Sequence, residues 1–215
     1  MRRSKQQRAA EIMTVLERCY PEARCALHYQ SPWQLLVATI LSAQCTDVRV
    51  NKVTPGLFRA FPGPAEMAIA PLGELEEAIR STGFFRNKAK NLQQCARCIV
   101  AEHAGQVPQS LEQLVALPGV GRKTANVVLG NAFATPGMVV DTHVKRISRR
   151  LGWTRQEDPV KIEAELCRLL SRDKWTQAGH TLIFHGRAIC KAPTPSCSLC
   201  PVEALCPKCG VTKSR

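Results

Sequence analysis

The sequence predicts an all-α protein built from many short helices. Three observations carry this. Apolar residues recur at helical spacing along most of the chain. No convincing stretch alternates apolar and polar residues with a period of two. Gly and Pro punctuate the periodic segments at Pro55-Gly56, Phe61-Pro62-Gly63-Pro64, Pro71-Leu72-Gly73, Pro118-Gly119 and Pro136-Gly137.

Taken in chain order, Trp33, Leu36, Val37, Ile40 and Leu41 follow the i, i+3, i+4, i+7, i+8 rule of a helix with one buried face. Leu92, Cys95, Ala96 and Ile99 repeat it. Leu111 to Leu117 reads as a short helix that stops at Pro118-Gly119-Val120-Gly121. The next helix begins near Arg122 or Lys123 and turns Ala125, Val128, Leu129 and Ala132 inward. Val139 and Val140 lead to Asp141 and an amphipathic segment, which makes Asp141 an N-cap. Ile162, Leu166, Leu169 and Leu170 form a further helical face. From Cys190 onward the chain is rich in Cys and Pro, buries little apolar surface of its own, and needs a metal site or its equivalent for order.

The chain has 215 residues, enough for one domain or two small ones. With 45% apolar and 22% charged residues its composition is that of a soluble globular protein, which excludes a disordered tail, a collagen-like fibre and a coiled coil. The longest apolar candidate, Trp33 to Ala43, is broken by Gln34, Thr39 and Ser42, so no membrane partner is expected. Thirty Lys and Arg against 17 Asp and Glu leave a net charge of +13, which favours a polyanion as partner; an ordinary solvated basic surface is the plainer reading. Met1-Arg2-Arg3-Ser4-Lys5 is basic, but no apolar segment follows, so it does not read as a secretory signal. The expected setting is intracellular, with reduced thiols. There the 11 cysteines, too sparse for a disulfide scaffold, point to a metal before disulfides.

The cysteine spacing is Cys190-x6-Cys197-x2-Cys200-x5-Cys206. A four-iron, four-sulfur (4Fe-4S) cluster accepts such irregular gaps. A zinc site usually pairs two C-x2-C hooks, and Cys206-Pro207-Lys208-Cys209 supplies a second hook, so zinc on Cys197, Cys200, Cys206 and Cys209 stays open. Four thiolate ligands leave no position for substrate, so the role expected of either metal is structural. Cys95 and Cys98, one turn apart, read as small buried hydrophobes rather than a redox pair.

Two glycines in the turn 118–121 let the backbone approach a ligand, and the following helix presents its N–H groups and positive dipole end to an anion such as a nucleic-acid phosphate. The plain alternative is a helix connection without a ligand. Lys123 reads as a phosphate-contacting cation or as a nucleophilic amine. Arg122, the helix end and partial burial would all disfavour its ammonium form. Asp141, besides capping, could move protons or stabilise a developing sugar cation.

Leu117-Pro118-Gly119-Val120-Gly121-Arg122-Lys123-Thr124-Ala125-Asn126 resembles the helix-hairpin-helix of the endonuclease III DNA glycosylases. Val140-Asp141-Thr142-His143-Val144 resembles the family's catalytic aspartate segment, and Leu41-Ser42-Ala43-Gln44-Cys45-Thr46-Asp47 another family segment, with Cys45 where Ala or Thr is expected. His185-Gly186-Arg187 leads into the four cysteines at the family spacing. The similarity runs from about Pro32 to Cys206.

The resemblance implies two helical lobes flanking a DNA-binding cleft. One is a six-helix barrel with the hairpin, residues 25–135. The other is an iron–sulfur domain of residues 1–24 plus 136–215. It implies a 4Fe-4S cluster on Cys190, Cys197, Cys200 and Cys206. It also implies a bifunctional glycosylase and lyase in base excision repair, acting as a monomer on duplex DNA with a damaged pyrimidine or abasic site. Lys123 and Asp141 would be catalytic. Gln44 would fill the hole left by the flipped nucleotide. Thr82-Gly83-Phe84 matches the wedge loop, with Phe84 pushed into the helix; from its pattern alone Phe84 reads as core. The remaining DNA contacts implied are Gly119, Val120, Gly121, Arg122, Thr124, His143, Arg187 and Lys191. The loop Lys191-Ala192-Pro193-Thr194-Pro195-Ser196 departs from the family by carrying one lysine, for which Arg187 and the run Lys145-Arg146, Arg149-Arg150 would compensate. Related adenine glycosylases lack the lysine at position 123. A monofunctional glycosylase and a non-enzymatic DNA-binding module remain as the other readings.

Overall fold

The structure is a computed structural model that describes residues 4–215. Among the described residues the regular structure is helical, without strands, and no helix is long and apolar enough to cross a membrane. The elements in chain order are α1 (Lys5–Cys19), α2 (Pro32–Leu41), α3 (Asp47–Ala60), α4 (Pro64–Ile69), α5 (Leu72–Ile79), α6 (Phe85–Glu102), α7 (Leu111–Ala116), α8 (Arg122–Ala132), α9 (Thr142–Arg150), α10 (Pro159–Leu169) and α11 (Trp175–Ala188). Short 3-10 turns lie at Arg80–Thr82, Arg172–Lys174, Cys197–Leu199 and Glu203–Leu205. The chain divides into two compact units, one of Cys25–Thr135 and one joining the segment up to Arg24 with Pro136–Arg215.

Helix starts follow side-chain capping. Ser4 and Gln7 form a reciprocal capping box, and the hydroxyls of Ser31, Thr46 and Ser110 accept from the amides of Gln34, Arg49 and Gln113. In the Cys25–Thr135 unit α2 is nearly all buried and packs on α8, while α4 and α5 cover α6. Leu92, Cys95, Ala96 and Ile99 are each fully buried, as their spacing predicts. Burial pushes the Cys95 thiol up to about 12, so Cys95 is an inert core group. Pro55 departs from the punctuation reading, since it lies inside α3. Val50, Thr54 and Leu57 are buried on one face across it, and their packing holds the helix through the missing amide.

The other unit has its own core. Ile12 and Leu16 of α1 join Val144 and Ile147 of α9, Ile162 and Leu166 of α10, Leu182 of α11 and Trp153, all 0–1% exposed. Burying each such side chain contributes about 2 kcal/mol. This core carries the Cys190–Cys206 segment, whose Cys190, Cys200 and Cys206 pack against it.

Candidate active site and cysteine centre

The turn after α7 is set by two residues. The amide of Val120 donates to Leu117 O at 3.1 Å, which places Pro118 and Gly119 in the middle of a turn. Gly119 has φ +76°, the value a type II turn requires at that place, with Pro before it. A Cβ on Gly119 would stand 2.8 Å from Asn91 Cβ, so close approach independently requires glycine. Gly121 is the N-cap of α8 and offers no capping side chain. The first helical bond runs from Ala125 N to Gly121 O at 3.0 Å, so the amides of the first turn lie ahead of the ladder, as in any helix. That turn holds no acidic residue, and a Cβ on Gly121 would meet nothing within 4 Å. The result is an open helix end with positive potential.

Arg122 and Lys123 are exposed on this first turn, Thr124 is half-buried, and Ala125, Val127, Val128 and Leu129 anchor the helix. Two expectations are corrected here. Lys123 is exposed, so the protein alone does not supply the burial that the sequence suggested. Val120 is buried and its amide is spent inside the turn, so it does not face a ligand.

Asp141 caps α9: Oδ1 accepts from the Val144 amide at 2.8 Å. The carboxylate is half-buried behind the buried stretch Met138, Val139 and Val140. Burial lowers the pKa of neighbouring His143, Asp141 works against that shift, and Arg146 and Arg187 reinforce it. His143 Nδ1 lies 3.2 Å from Arg146 Nη2.

Gln44 and Phe84 share an unusual backbone. Both are non-glycine residues in the left-handed region, at φ 55° and 50°, and both are exposed, Phe84 by 64%. Phe84 is therefore not the core residue its pattern suggested. Thr82 corrects another expectation. It is buried, and its hydroxyl donates to Ile79 O at 2.8 Å, so its side chain secures the loop instead of facing DNA.

The cysteine centre follows α11. Cys190 N bonds to His185 O at 2.9 Å, and Cys200 N to Cys197 O at 3.0 Å across a 3-10 turn. Cys190, Cys197, Cys200 and Cys206 line one pocket with Ile147, Leu151 and Val202. Cys209 is exposed and lies outside that lining. Among the described residues no three His, Cys, Asp or Glu side chains converge as a single ion would need; the four thiols share a pocket, not a point. Donors face the sulfurs: Arg150 Nη1 is 3.3 Å from Cys190 Sγ and Lys208 N is 3.4 Å from Cys206 Sγ. Burial raises Cys200 to about 11 and raises Cys206, in both cases with help from neighbouring thiols. A metal centre fits this donor set, because bound metal takes the thiolate form that burial alone disfavours.

Arg187 and Lys191 are exposed beside this segment. The basic run of α9 is not a free phosphate face. Arg146 donates to Cys190 O at 3.0 and 3.1 Å and to Gly186 O at 3.1 Å. Arg150 donates to Lys191 O at 2.8 Å and Pro193 O at 3.0 Å. Lys145 and Arg149 pair with Glu157. Sequence reasoning missed this clamp, although the i, i+4 spacing of Arg146 and Arg150 signals one shared helix face. The sequence marked His185 only as the start of a family segment; the fold buries it to 2% exposure between Tyr20 Oη at 3.1 Å and Cys200 Sγ at 3.7 Å.

Residues 37–172 match the family described as HhH-GPD superfamily base excision DNA repair protein. Endonuclease III of Synechocystis sp. is 56% identical over 205 residues, covering 95% of this chain and 94% of that protein. Endonuclease III of Bacillus subtilis is 47% identical over 188 residues, 87% and 86% of the two chains. A solved non-covalent Endonuclease III–DNA complex superimposes with TM-score 0.89 at 43% identity, covering 96% of this chain and 97% of that one. A trapped Endonuclease III–DNA covalent intermediate gives 0.90 at 43% identity, with the same coverage.

Proposed function

We infer how this chain works from what it is: it belongs to the HhH-GPD superfamily of base excision DNA repair proteins and, within it, to the endonuclease III family. It is a DNA glycosylase and AP lyase, and DNA is its partner. We propose that it acts on duplex DNA carrying an oxidised pyrimidine or an abasic site, with Lys123 as nucleophile and Asp141 as its carboxylate partner.

In this reading the unprotonated Lys123 amine forms a bond to the sugar C1′ as the glycosidic bond breaks. The electron pair leaves with the base, which takes up a proton. The sugar ring opens to give an iminium, which loses a C2′ proton. The C3′–O bond then breaks, the phosphate leaves with the electron pair, and the strand is nicked 3′ to the lesion. Water releases the lysine. Asp141 assists proton movement and stabilises the cationic sugar. The backbone at Gly119 and Gly121, with Arg122 and Thr124, binds phosphate at the open end of α8. His143, Arg187 and Lys191 bind backbone on the other unit. Gln44 fills the vacated stack and Phe84 is the apolar wedge, offsetting part of an unstacking cost of a few kcal/mol.

Cys190, Cys197, Cys200 and Cys206 would hold the 4Fe-4S cluster. The cluster supplies cross-linking order to a segment too poor in apolar residues to order itself. The zinc set with Cys209 is less favoured, because Cys209 lies outside the pocket the other four share.

The observation that carries the reading is an exposed amine on the first turn of α8, beside a glycine turn and without an acidic neighbour in that turn. The trapped covalent intermediate of a 43% identical relative supports it. Borohydride trapping on a duplex with one abasic site tests it. Wild type should form a covalent adduct and Lys123→Ala should not. No adduct from folded, cluster-loaded wild type, or an adduct that persists in Lys123→Ala, would remove Lys123 from its proposed role as nucleophile.

A further inference from the structure

Lys88 stands on the first turn of α6 with its side chain turned inward, 5% exposed. Nζ donates to Leu41 O and to Thr82 O, each at 2.8 Å. Leu41 is the last residue of α2, and Thr82 is the last of the 3-10 turn before Phe84. Carbonyls at such ends lack intrahelical donors, and a cation there meets the negative end of the helix dipole. Among the described residues no carboxylate pairs with this ammonium. Burial lowers its pKa and the Cys45 thiol opposes the shift. A buried charge persists only where its contacts offset the loss of water, and here those contacts are two loop carbonyls.

Each carbonyl leads directly to a strained, exposed residue. Gln44, at φ 55°, follows Leu41 by three residues, and Phe84, at φ 50°, follows Thr82 by two. Left-handed non-glycine residues persist where the surroundings over-determine them. Local bonds shape each turn separately: Cys45 N to Ser42 O at 3.1 Å, and Thr82 Oγ1 to Ile79 O at 2.8 Å. Neither sets the distance between the turns. Lys88 bonds to both.

We infer that Lys88 is a positioning residue whose buried ammonium locks the Gln44 turn to the Phe84 turn, so that both side chains enter the duplex as one rigid pair. This rests on the probing roles proposed above for Gln44 and Phe84. Opening a base pair needs the wedge and the filler together. If the turns moved independently, one could insert while the other did not, and less of the unstacking cost would be offset.

The test uses Lys88→Met, which keeps chain length and removes every donor, in the full cluster-loaded protein. One assay is single-turnover excision of an oxidised pyrimidine from duplex DNA, which requires opening an intact pair. The other is strand cleavage at a preformed abasic site, where no damaged base has to be extruded. Excision should fall about tenfold or more, and abasic cleavage by less than about threefold. In a Gln44→Ala/Phe84→Ala background the added loss from Lys88→Met should shrink below about twofold, the non-additivity of groups acting as a unit. Equal loss in both assays would make Lys88 a fold-holding residue and overturn the inference, as would unchanged excision. If Gln44→Ala/Phe84→Ala alone leaves excision intact, the probing roles fail, and the inference falls with them for a separately visible reason. Lys88→Gln, whose amide retains donors, should show the same split with a smaller loss, and it serves if the Met variant does not fold; parallel losses there also overturn the inference.

Discussion

Arg150 Nη1 lies 3.3 Å from the sulfur of Cys190 and 2.8 Å from the carbonyl of Lys191. One guanidinium from α9 thus holds both a proposed cluster ligand and the start of the loop that follows it. Arg150→Ala should loosen that loop. Charge-assisted bonds contribute about 2 kcal/mol each where partly buried, so the melting temperature should drop by roughly 5 °C or more. Iron content per chain should fall as well. Calorimetry and iron analysis on the same preparation check this, and full iron with unchanged melting would refute it.

Gly119 and Gly121 should separate folding from binding. Gly119→Ala places a side chain at φ +76° and drives it into Asn91, so it should cost about 2 kcal/mol or more of stability. Gly121→Ala meets open space at an ordinary φ and should cost within about 1 kcal/mol. Its methyl nevertheless stands where phosphate is proposed to approach, so DNA affinity should fall. Denaturant melts beside DNA titrations at fixed salt would show whether the two losses part company.

Asp141 is both cap and proposed catalytic group, and two substitutions divide the roles. Asn caps a helix about as well as Asp, so Asp141→Asn should keep stability and lose rate. Asp141→Ala should lose the rate and about 1 kcal/mol of stability. Equal melting of the two variants would mean that the 2.8 Å cap bond contributes nothing measurable.

His180 offers a test against pH. Burial lowers its pKa from 6.5, so the unfolded chain takes up a proton before the folded one does. Its contribution is fully present above about pH 6.5 and is lost as pH falls toward the folded value, with a slope of at most about 1.4 kcal/mol per pH unit. His180→Gln should flatten that part of the stability profile between pH 6.5 and 5. An unchanged slope would show that another group carries it.

Local chemistry was readable without a fold. The faces Leu36–Ile40 and Leu92–Ile99 are buried as their spacing implies, because helical period alone decides which side chains share a face. Pro118 with Gly119 specified the turn before α8, because ring closure and freedom at positive φ are properties of single residues. Asp141 as cap and the Cys190–Cys206 spacing belong to the same class.

Helical character, the hairpin, the capped aspartate, the cysteine set and, through resemblance, the family were thus legible in residue type and order alone. Tertiary structure alone decided the fate of residues whose partners are distant in the chain. Lys88 can be buried because its Nζ donates a hydrogen bond to Leu41 O, 47 residues away. Arg146 and Arg150 clamp Cys190, 44 and 40 residues away, where the sequence showed only a basic run. Thr82 turns inward and Phe84 outward although they are neighbours in one short loop. Period and composition carry no information on such choices, because the cost of burying a charge or exposing a ring depends on which groups the folded chain brings beside it.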